Sequence, residues 1–390
     1  MDFLFKEVPP HIYIHLPFCA KRCHYCDFIA LAAHESFIQP YHEALIKEIK
    51  LFAQKFEFSK SNPIKTIFIG GGTPSLYPID NLEDIFQTLN QNYDLSQLLE
   101  VTIETNPVDI TPTKLAAWKG LGINRLSMGV QVLDDDVLKR LNRSQKVKDV
   151  LRAIQITPNY FENISVDLIL GLPGVSSEQW TSTLESVVGW PIKHISVYLL
   201  TIYDKTPMFF KLENGELGIE SDEHLVNMHE VTFKFLQDFG FDRYEISNFA
   251  KNGYESRHNL AYWERCPYYG FGLSASSFDG KNRYTNQNNL EKYIQTIQLN
   301  NALPIEYFES LTSNQEVLEL LMLGLRLKKG VGLQSVLYLL SDYQKNRFLN
   351  NLTQLTNESF ITSDNNKLCL TAKGLLLENN VVLDLLKEVF

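Results

Sequence analysis

With 390 residues, the chain is longer than one hydrophobic core usually supports, which predicts a large domain joined to a smaller one. Its formal net charge of −10 argues against general nucleic-acid binding, because such binding depends on neutralising phosphates with Lys and Arg. The five cysteines are an odd number with Cys266 and Cys369 far apart, which does not suit the disulfide framework of a secreted protein. No apolar run reaches the length of a bilayer span, and the N-terminal segment MDFLFKEVPP carries acids where a signal peptide would be basic. We therefore expect a cytoplasmic protein.

Six strand-like segments recur in the first half of the chain, and most are followed by an apolar stretch of helical spacing. The strand-like segments lie at 11–17, 66–74, 100–107, 125–131, 164–174 and 194–201, and the helix-like stretches at 38–56, 80–92, 112–121, 145–156 and 177–188. This alternation predicts an α/β fold of parallel β/α units with right-handed crossovers. Six units would form a partial barrel or a doubly wound open sheet. In both, the site lies at the C-terminal ends of the strands.

The pattern changes beyond residue 201. Residues 216–240 have helical spacing, an aromatic and Gly-rich region follows at 244–284, and the last part alternates helical stretches with one hairpin signal. In that hairpin an Asn-rich turn joins two short strands, which resembles a winged-helix-like module. Because the chain is acidic, we expect this module to dock on the sheet rather than to bind DNA. The expected regions are 1–215, 216–300 and 301–390.

Cys19, Cys23 and Cys26 lie within eight residues, directly after the first predicted strand. A disulfide among them would leave one thiol over. A structural zinc site normally has four protein ligands, and His15 or His24 could complete one. An iron–sulfur cluster can be held by three cysteines, which leaves one iron open to an exchangeable ligand. The spacing favours the cluster and keeps zinc as the alternative.

Glycine and polar residues follow the other predicted strands. They are the GGGTP segment at 70–74, Glu104 in ETNP, Gln131 in GVQ, Arg143 shortly after, and Asp167 within an apolar strand. Adjacent glycines let backbone N–H groups approach a ligand closely. Each of these residues alone is more often structural, and a buried Asp167 could serve only to satisfy backbone groups. Together they predict a ring of polar groups where the fold places a ligand.

A series of motifs runs in order from about residue 11 to about residue 380: CAKRCHYC, FIGGGTPS, ETNP, NRLSMGVQ, VDLILGLPG, YEISNFA, HNLAYW and MLGLRL. In this series the chain resembles the radical S-adenosylmethionine (SAM) proteins of the branch that contains oxygen-independent coproporphyrinogen III oxidase and the HemW-type heme chaperones. The resemblance implies a partial (β/α)6 barrel with a mainly helical, winged-helix-like C-terminal domain.

The resemblance also implies the cofactors and their ligands. A [4Fe–4S] cluster would be held by Cys19, Cys23 and Cys26, and SAM would chelate its fourth iron. The implied SAM pocket consists of Tyr13, Tyr25, Gly71, Gly72, Thr73, Glu104, Gln131, Arg143 and Asp167. Their chemistry agrees, because Arg pairs with a carboxylate while acids and amides accept from an ammonium or ribose hydroxyls. In the family, a reduced cluster with SAM is the route to a 5′-deoxyadenosyl radical.

Three features favour the chaperones over the oxidase. Phe28 stands where the oxidase typically has a fourth cysteine, only 18 residues precede Cys19 where the oxidase has an extension, and HNLAYW at 258–263 matches the HemW-type motif. The resemblance thus predicts a protein that binds heme and passes it to an acceptor protein. Oxidative decarboxylation of coproporphyrinogen III in porphyrin biosynthesis is the alternative, and radical chemistry on another substrate is a third. The acceptor, the oligomeric state and any transient membrane association stay open.

His258 is the candidate heme ligand, because it lies beside Arg257 and near several aromatic residues that suit a porphyrin face. Cys266 is a competing ligand. Alternatively, His258 and Trp263 only fix a loop onto the barrel. Many relatives carry a histidine where this chain has Ser276. We expect heme near 244–284, on the far side of the SAM site from the chain's start.

Overall fold

The computed structural model describes residues 5–32, 35–56, 60, 62–364 and 366–390. Its strands are β1 (His11–Leu16), β2 (Phe18–Cys19), β3 (Leu31–Ala32), β4 (Thr66–Gly71), β5 (Glu100–Thr105), β6 (Arg125–Gln131), β7 (Asn163–Leu170), β8 (His194–Leu199), β9 (Asp242–Arg243), β10 (Asn248–Ala250), β11 (Tyr268–Phe271), β12 (Ser276–Phe278), β13 (Asn282–Asn286), β14 (Ile305–Ser310), β15 (Val331–Gly332), β16 (Ile361–Asp364) and β17 (Lys367–Leu370). Its α-helices are α1 (Ile38–Ala53), α2 (Ile79–Asn92), α3 (Pro112–Gly120), α4 (Asp135–Arg140), α5 (Val147–Ile156), α6 (Ser177–Val188), α7 (Pro207–Glu213), α8 (Asp222–Asp238), α9 (Arg257–Trp263), α10 (Leu290–Gln298), α11 (Ser313–Gly324), α12 (Leu333–Tyr338), α13 (Asp342–Asn357), α14 (Ala372–Leu375) and α15 (Glu378–Leu386).

A row of parallel strands forms the centre of the fold. β1, β4, β5, β6, β7 and β8 lie side by side in that order, and each neighbouring pair is parallel. Their outward-facing apolar residues, such as Ile12, Ile69 and Ile103, are almost completely buried. The connecting segments carry helices, as parallel pairing requires. This is the partial barrel of six β/α units that the family resemblance implies, and not the doubly wound sheet that the strand pattern also allowed.

The barrel is open because β1 and β8 each pair with other strands. β11 runs parallel to β1, and β12, β13 and β14 continue the same sheet in antiparallel pairs, while β10 and β9 extend it beyond β8. The expected position of the 244–284 region was wrong. It does not lie on the far side from the chain's start, because His11 to Ile14 pair directly with Tyr268 to Phe271.

A buried carboxyl group fastens this sheet extension to α1. Glu48 is fully buried, and it accepts hydrogen bonds from the Gly272 N–H at 2.9 Å, the Asn286 side chain at 2.8 Å and the Tyr293 hydroxyl at 2.6 Å. Burial raises the pKa of Glu48 to about 8. These partners come from the turn after β11, from β13 and from α10, so one side chain connects four elements.

Side-chain caps decide where two of the helices begin. The Ser176 hydroxyl accepts a hydrogen bond from the Gln179 N–H, and Gln179 Oε1 accepts one from the Ser176 N–H, so α6 starts at Ser177. The helix expected at 216–240 begins later, at Asp222, because Ser221 caps it by accepting from the His224 N–H. Within the residues that the structure describes, no helix has the length and apolar character needed to cross a membrane.

The last part of the chain is mainly helical and has its own hydrophobic core. That core includes Val317, Leu321, Phe348, Leu368 and Leu385. The small antiparallel sheet β15–β17–β16 contains the predicted hairpin, of which Asn365 lies outside the described residues. This agrees with a winged-helix-like module. The boundaries at 215/216 and 300/301 stay predictions.

Candidate functional site

A cavity of about 370 Å³ opens at the C-terminal ends of the parallel strands. It is bounded by the cysteine loop, by the glycine turn after β4 and by the ends of β5 to β8. A volume of this size is typical of a small-molecule site. The predicted site residues that line it are Cys19, Cys23, Tyr25, Cys26, Gly71, Gly72, Thr73, Glu104, Gln131, Arg143 and Asp167. Tyr13 and His258 do not line it.

Backbone contacts with two other loops hold the cysteine loop in place. The His24 N–H donates to the Leu141 carbonyl at 3.0 Å, and the His24 carbonyl accepts from the Met208 N–H at 2.9 Å. The Asn142 side chain donates to the Arg22 carbonyl at 2.8 Å. The loop is therefore anchored both at the end of α4 and at the start of α7, with its three thiols half-buried at the cavity.

The two histidines that could have completed a zinc site have other partners. His15 uses both ring nitrogens, with the Tyr13 hydroxyl at 2.9 Å and the Ile29 carbonyl at 3.0 Å. His24 directs Nδ1 to the Arg140 carbonyl at 2.8 Å and does not line the cavity. In the ranges that the structure describes, no group of three or more His, Cys, Asp or Glu residues is arranged to hold a single metal ion. The three thiols suit a cluster in which each cysteine binds a different iron.

The environment of Cys19 and Cys26 disfavours their thiolate forms. Burial raises the pKa of Cys19, and it raises the pKa of Cys26 to about 11. The Thr73 hydroxyl donates to the Cys19 sulfur at 3.3 Å, and the Arg143 guanidinium donates to the Cys23 sulfur at 3.5 Å. Metal binding would release the thiol protons, and these two donors would then stabilise the thiolates.

Two glycines shape the turn after β4. Gly71 has φ +118°, and a Cβ added there would lie 2.8 Å from the His15 ring. A Cβ on Gly72 would lie 2.7 Å from the Phe18 carbonyl oxygen. Both positions therefore exclude side chains, because the turn packs closely against His15 and Phe18.

Two part-buried carboxyl groups line the inner part of the cavity. Glu104 accepts from the Gly71 N–H at 3.1 Å, and burial, aided by the nearby Asp167, raises the pKa of Glu104 to about 8. Asp167 accepts from the Ser127 hydroxyl at 3.0 Å, and burial raises its pKa. Within the described part of the chain, neither forms an ion pair. The two carboxyl groups can therefore accept hydrogen bonds from a ligand that carries an ammonium and hydroxyls, as SAM does.

Arg143 joins the strand ends to the cysteine loop. Its Nε donates to Gln145 Oε1 at 2.9 Å, and its Nη2 donates to Asn106 Oδ1 at 2.5 Å and to the Gly129 carbonyl at 3.0 Å. With Nη1 at the Cys23 sulfur, the guanidinium is held on three sides. A guanidinium fixed in this way can pair with a ligand carboxylate without losing much side-chain freedom.

A bulge directs Gln131 into the cavity. The register between β6 and β7 shifts between Gly129 and Gln131. Gln131 has φ +70°, an uncommon value for a residue with a side chain. Strained backbone of this kind is concentrated at functional sites. The bulge thus agrees with a binding role for Gln131.

Sequence reasoning missed several residues of this site: Asn106, Ser127, Gln145 and Tyr198. Signals for most of them were available. Asn106 belongs to the ETNP segment. By period-two alternation, Ser127 lies on the same inward face of β6 as Gly129, and Tyr198 lies on the same inward face of β8 as Ser196. Gln145 had no signal beyond its position two residues after Arg143.

Tyr13 lies beneath the glycine turn rather than in the cavity. Its hydroxyl bonds to His15 Nδ1, and its ring stacks on Phe68 with centroids 6.2 Å apart. A Cβ added to Gly70 would lie 3.1 Å from the Tyr13 ring. Tyr13 therefore supports the turn that lines the cavity. Direct contact of Tyr13 with SAM stays a prediction.

His258 does not offer a nitrogen to heme iron in this structure. It is fully buried, its Nδ1 bonds to the Thr66 hydroxyl at 2.6 Å, and its Nε2 bonds to the Tyr262 hydroxyl at 2.8 Å. Its ring also packs against Phe68, with centroids 5.3 Å apart. Coordination would require both bonds to break. The geometry matches the alternative in which His258 fixes a loop.

The HNLAYW segment closes the opposite end of the barrel. Glu100, the first residue of β5, accepts from the N–H groups of Arg257 and His258 at 2.9 and 3.1 Å, which places the start of α9 under the N-terminal ends of the strands. The Arg257 side chain is exposed there, away from the SAM cavity. Cys266 is half-buried, and burial raises its pKa.

Comparisons with known proteins agree with this geometry. Residues 13–187 match the model of the radical SAM superfamily, and residues 311–377 match that of the HemN C-terminal domain. The heme chaperone HemW of Bacillus subtilis is 34% identical over 371 residues, which cover 95% of this chain and 97% of that protein. The heme chaperone HemW of a Synechocystis species is 38% identical over 335 residues, or 83% of this chain and 79% of that protein. The structure of coproporphyrinogen III oxidase (HemN) from Escherichia coli matches with a TM-score of 0.83 at 23% identity, over 97% of this chain and 90% of that one. This last match shows the fold.

Proposed function

Because the chain belongs to the HemW family of radical SAM proteins, we propose that it is a heme chaperone, which binds heme and transfers it to an acceptor protein. The observation that carries this proposal is the similarity to the Bacillus subtilis heme chaperone along nearly the whole of both chains. The departure at Phe28, where the oxidase typically has a cysteine, supports the same function. Its side chain is largely exposed at the mouth of the cavity.

We assign the cofactors to the cavity at the C-terminal ends of the strands. Cys19, Cys23 and Cys26 would hold a [4Fe–4S] cluster, which when bound supplies an electron to SAM. Arg143 would orient the SAM carboxylate, and the acceptors Glu104 and Asp167 would receive its ammonium and hydroxyl donors. The other residues proposed to contact SAM are Tyr13, Tyr25, Gly71, Gly72, Thr73 and Gln131. A location in the cytoplasm stays a prediction from the sequence.

Oxidation of coproporphyrinogen III is the second candidate function. The observation in its favour is the likeness of the whole chain to the Escherichia coli oxidase, but at 23% identity that likeness extends only to the fold. The relatives named heme chaperone are more similar in sequence. We therefore rank the oxidase reaction below heme transfer.

An anaerobic preparation with its cluster reconstituted can test both functions side by side. We expect stoichiometric heme binding, transfer of that heme to apomyoglobin as a generic acceptor, and no conversion of coproporphyrinogen III to protoporphyrinogen IX with SAM and a reductant. Conversion of coproporphyrinogen III without heme binding would reverse the ranking. The matched control is the same protein with Cys19→Ala, which should lack the cluster and any SAM-dependent reaction.

A further inference from the structure

The outer end of the SAM cavity has a different character from its inner end. Phe28, Tyr198, Leu199 and Tyr203 line the opening, and they are 64%, 43%, 51% and 44% exposed, respectively. Single exposed apolar residues are normal on a protein surface, but four large ones around one opening form a patch. We call these four residues the mouth patch. The ammonium and hydroxyl groups of SAM fit the inner carboxyl groups, and the exposed mouth patch is open to a second, apolar molecule.

The mouth patch is built on fixed elements. Tyr198 and Leu199 end β8, and Tyr198 lies on the same face of that strand as Ser196. Tyr203 accepts hydrogen bonds at its carbonyl from Thr206, just before α7. Phe28 follows the third cysteine by two residues. The patch therefore unites the end of the barrel with the loop that carries the cluster.

Two cations lie at the same opening. Lys21 and Arg22 are exposed and line the cavity, and within the described residues neither forms an ion pair. Asp27 is an exposed carboxylate on the same lining, but it adjoins Phe28 at the other end of the loop. The opening thus offers apolar side chains together with unpaired positive charge. That combination complements a flat apolar molecule with carboxylate arms.

We propose that heme binds at this opening, with its porphyrin face on the mouth patch and its propionates toward Lys21 and Arg22. This inference rests on the proposed chaperone function and names the site where heme would be held. Aromatic side chains provide large flat contact areas for a porphyrin, and unpaired cations attract its carboxylates. Because the patch borders solvent, heme bound there stays accessible to an acceptor protein.

The test is a hemin titration of the anaerobic, cluster-loaded protein. Quenching of tryptophan fluorescence measures the bound hemin. We expect Phe28→Ala with Tyr203→Ala to weaken binding by about tenfold. The double variant Leu199→Ala with Tyr203→Ala leaves the cysteine loop unchanged, and it keeps the test valid if the first variant loses its cluster. Phe239→Ala with Tyr338→Ala is the matched control, since both rings are exposed elsewhere, and it should bind hemin as the unmodified protein does.

A second titration tests the cations. Lys21→Glu with Arg22→Glu should weaken hemin binding by about fivefold at low salt, and the difference should shrink at high salt because exposed charges are screened. Hemin dimethyl ester, which lacks both carboxylates, should bind this variant and the unmodified protein equally. Lys292→Glu, an exposed charge on α10, is the control.

The outcomes separate this inference from the function on which it rests. Unchanged hemin affinity in both mouth-patch variants would overturn the site while leaving the chaperone function intact. Failure of the unmodified protein to bind hemin would overturn the proposed function as well. If the substitutions weakened binding to vesicles of anionic lipid but not to hemin, the opening would be a membrane contact instead, and the heme site would be refuted.

Discussion

His258→Ala is the substitution that most directly separates a structural role from heme coordination. The imidazole bridges the Thr66 and Tyr262 hydroxyls at 2.6 and 2.8 Å, and it packs against the rings of Phe68 and Tyr262. Alanine would remove both hydrogen bonds and leave a cavity between β4 and α9. The site is fully buried, so water cannot easily replace the lost contacts.

The expected loss of stability follows from these contacts. Two buried hydrogen bonds contribute about 0.5–1.5 kcal/mol each. Truncating a fully buried ring to a methyl group costs about 2–3 kcal/mol more, through lost contacts and the remaining cavity. We therefore expect His258→Ala to lower the free energy of unfolding by about 3–6 kcal/mol.

The effect should depend on pH. Burial is the main cause that lowers the pKa of His258 well below its usual value, and the nearby His11 adds to it. The folded protein therefore keeps this ring neutral. Below a pH of about 6.5 the unfolded chain binds a proton that the folded chain does not, and stability therefore falls as the pH falls. The variant lacks this group, so its deficit relative to the unmodified protein should narrow at acidic pH. Burial also lowers the pKa of His11 to about 4, which leaves part of the acid sensitivity in both proteins.

Urea unfolding of the cluster-loaded protein under anaerobic conditions measures this loss, with tryptophan fluorescence as the signal. His224→Ala is the control, because that ring is part-exposed and its neighbour Glu220 is 3.8 Å away, and it should change stability by less than about 1 kcal/mol. The folded His258→Ala protein should keep the Soret spectrum of the unmodified heme complex. A variant of normal stability that lost heme binding would refute our reasoning and restore His258 as the iron ligand.

Three further predictions concern the cofactor end of the barrel. Replacing Cys19, Cys23 or Cys26 with Ala should abolish the cluster's iron and labile sulfide, whereas Cys266→Ala and Cys369→Ala should leave both unchanged. Stoichiometric zinc in the unmodified protein would contradict the iron–sulfur assignment. Glu104→Gln should weaken SAM binding by about tenfold in equilibrium dialysis, because it removes a part-buried acceptor for a cation, and unchanged affinity would exclude that role. Gly71→Ala should also weaken SAM binding without loss of cluster iron, since its Cβ would lie 2.8 Å from the His15 ring; SAM binding equal to that of the unmodified protein would show that the turn adapts.

The parallel strands could be predicted from the sequence because their signals are local. Each strand is a short apolar run that ends in glycine or a polar residue, and the observed strands agree with the predictions to within a few residues. The C-terminal ends of such strands meet at one edge by geometry. Glu104, Gln131 and Asp167 could therefore be assigned to one site without knowledge of any contact, and the structure brings them together.

The extension of the sheet could not be predicted in the same way. Tyr268 to Phe271 pair with His11 to Ile14 across more than 250 residues, and nothing in either segment specifies the other. Two partners of His258 are also far away in the chain, since Thr66 lies on β4 and Glu100 on β5. An aromatic segment with a histidine has the composition of a heme site and of a barrel plug alike. Only tertiary contacts distinguish the two.

Two glutamates on β5 show how the two ends of the barrel differ. Glu100 and Glu104 are four residues apart on the inward face of the same strand. Glu100 accepts from two backbone N–H groups of α9 and from the Ser256 hydroxyl, so the chain itself satisfies that carboxylate. Glu104 accepts from the Gly71 N–H while its pKa is raised to about 8 by burial and by Asp167. Glu104 is part-buried at the cavity, so donors of a ligand can reach its remaining acceptor sites. The chain thus closes one end with its own backbone, and at the other end Glu104 keeps acceptor capacity for the cofactor proposed to bind there.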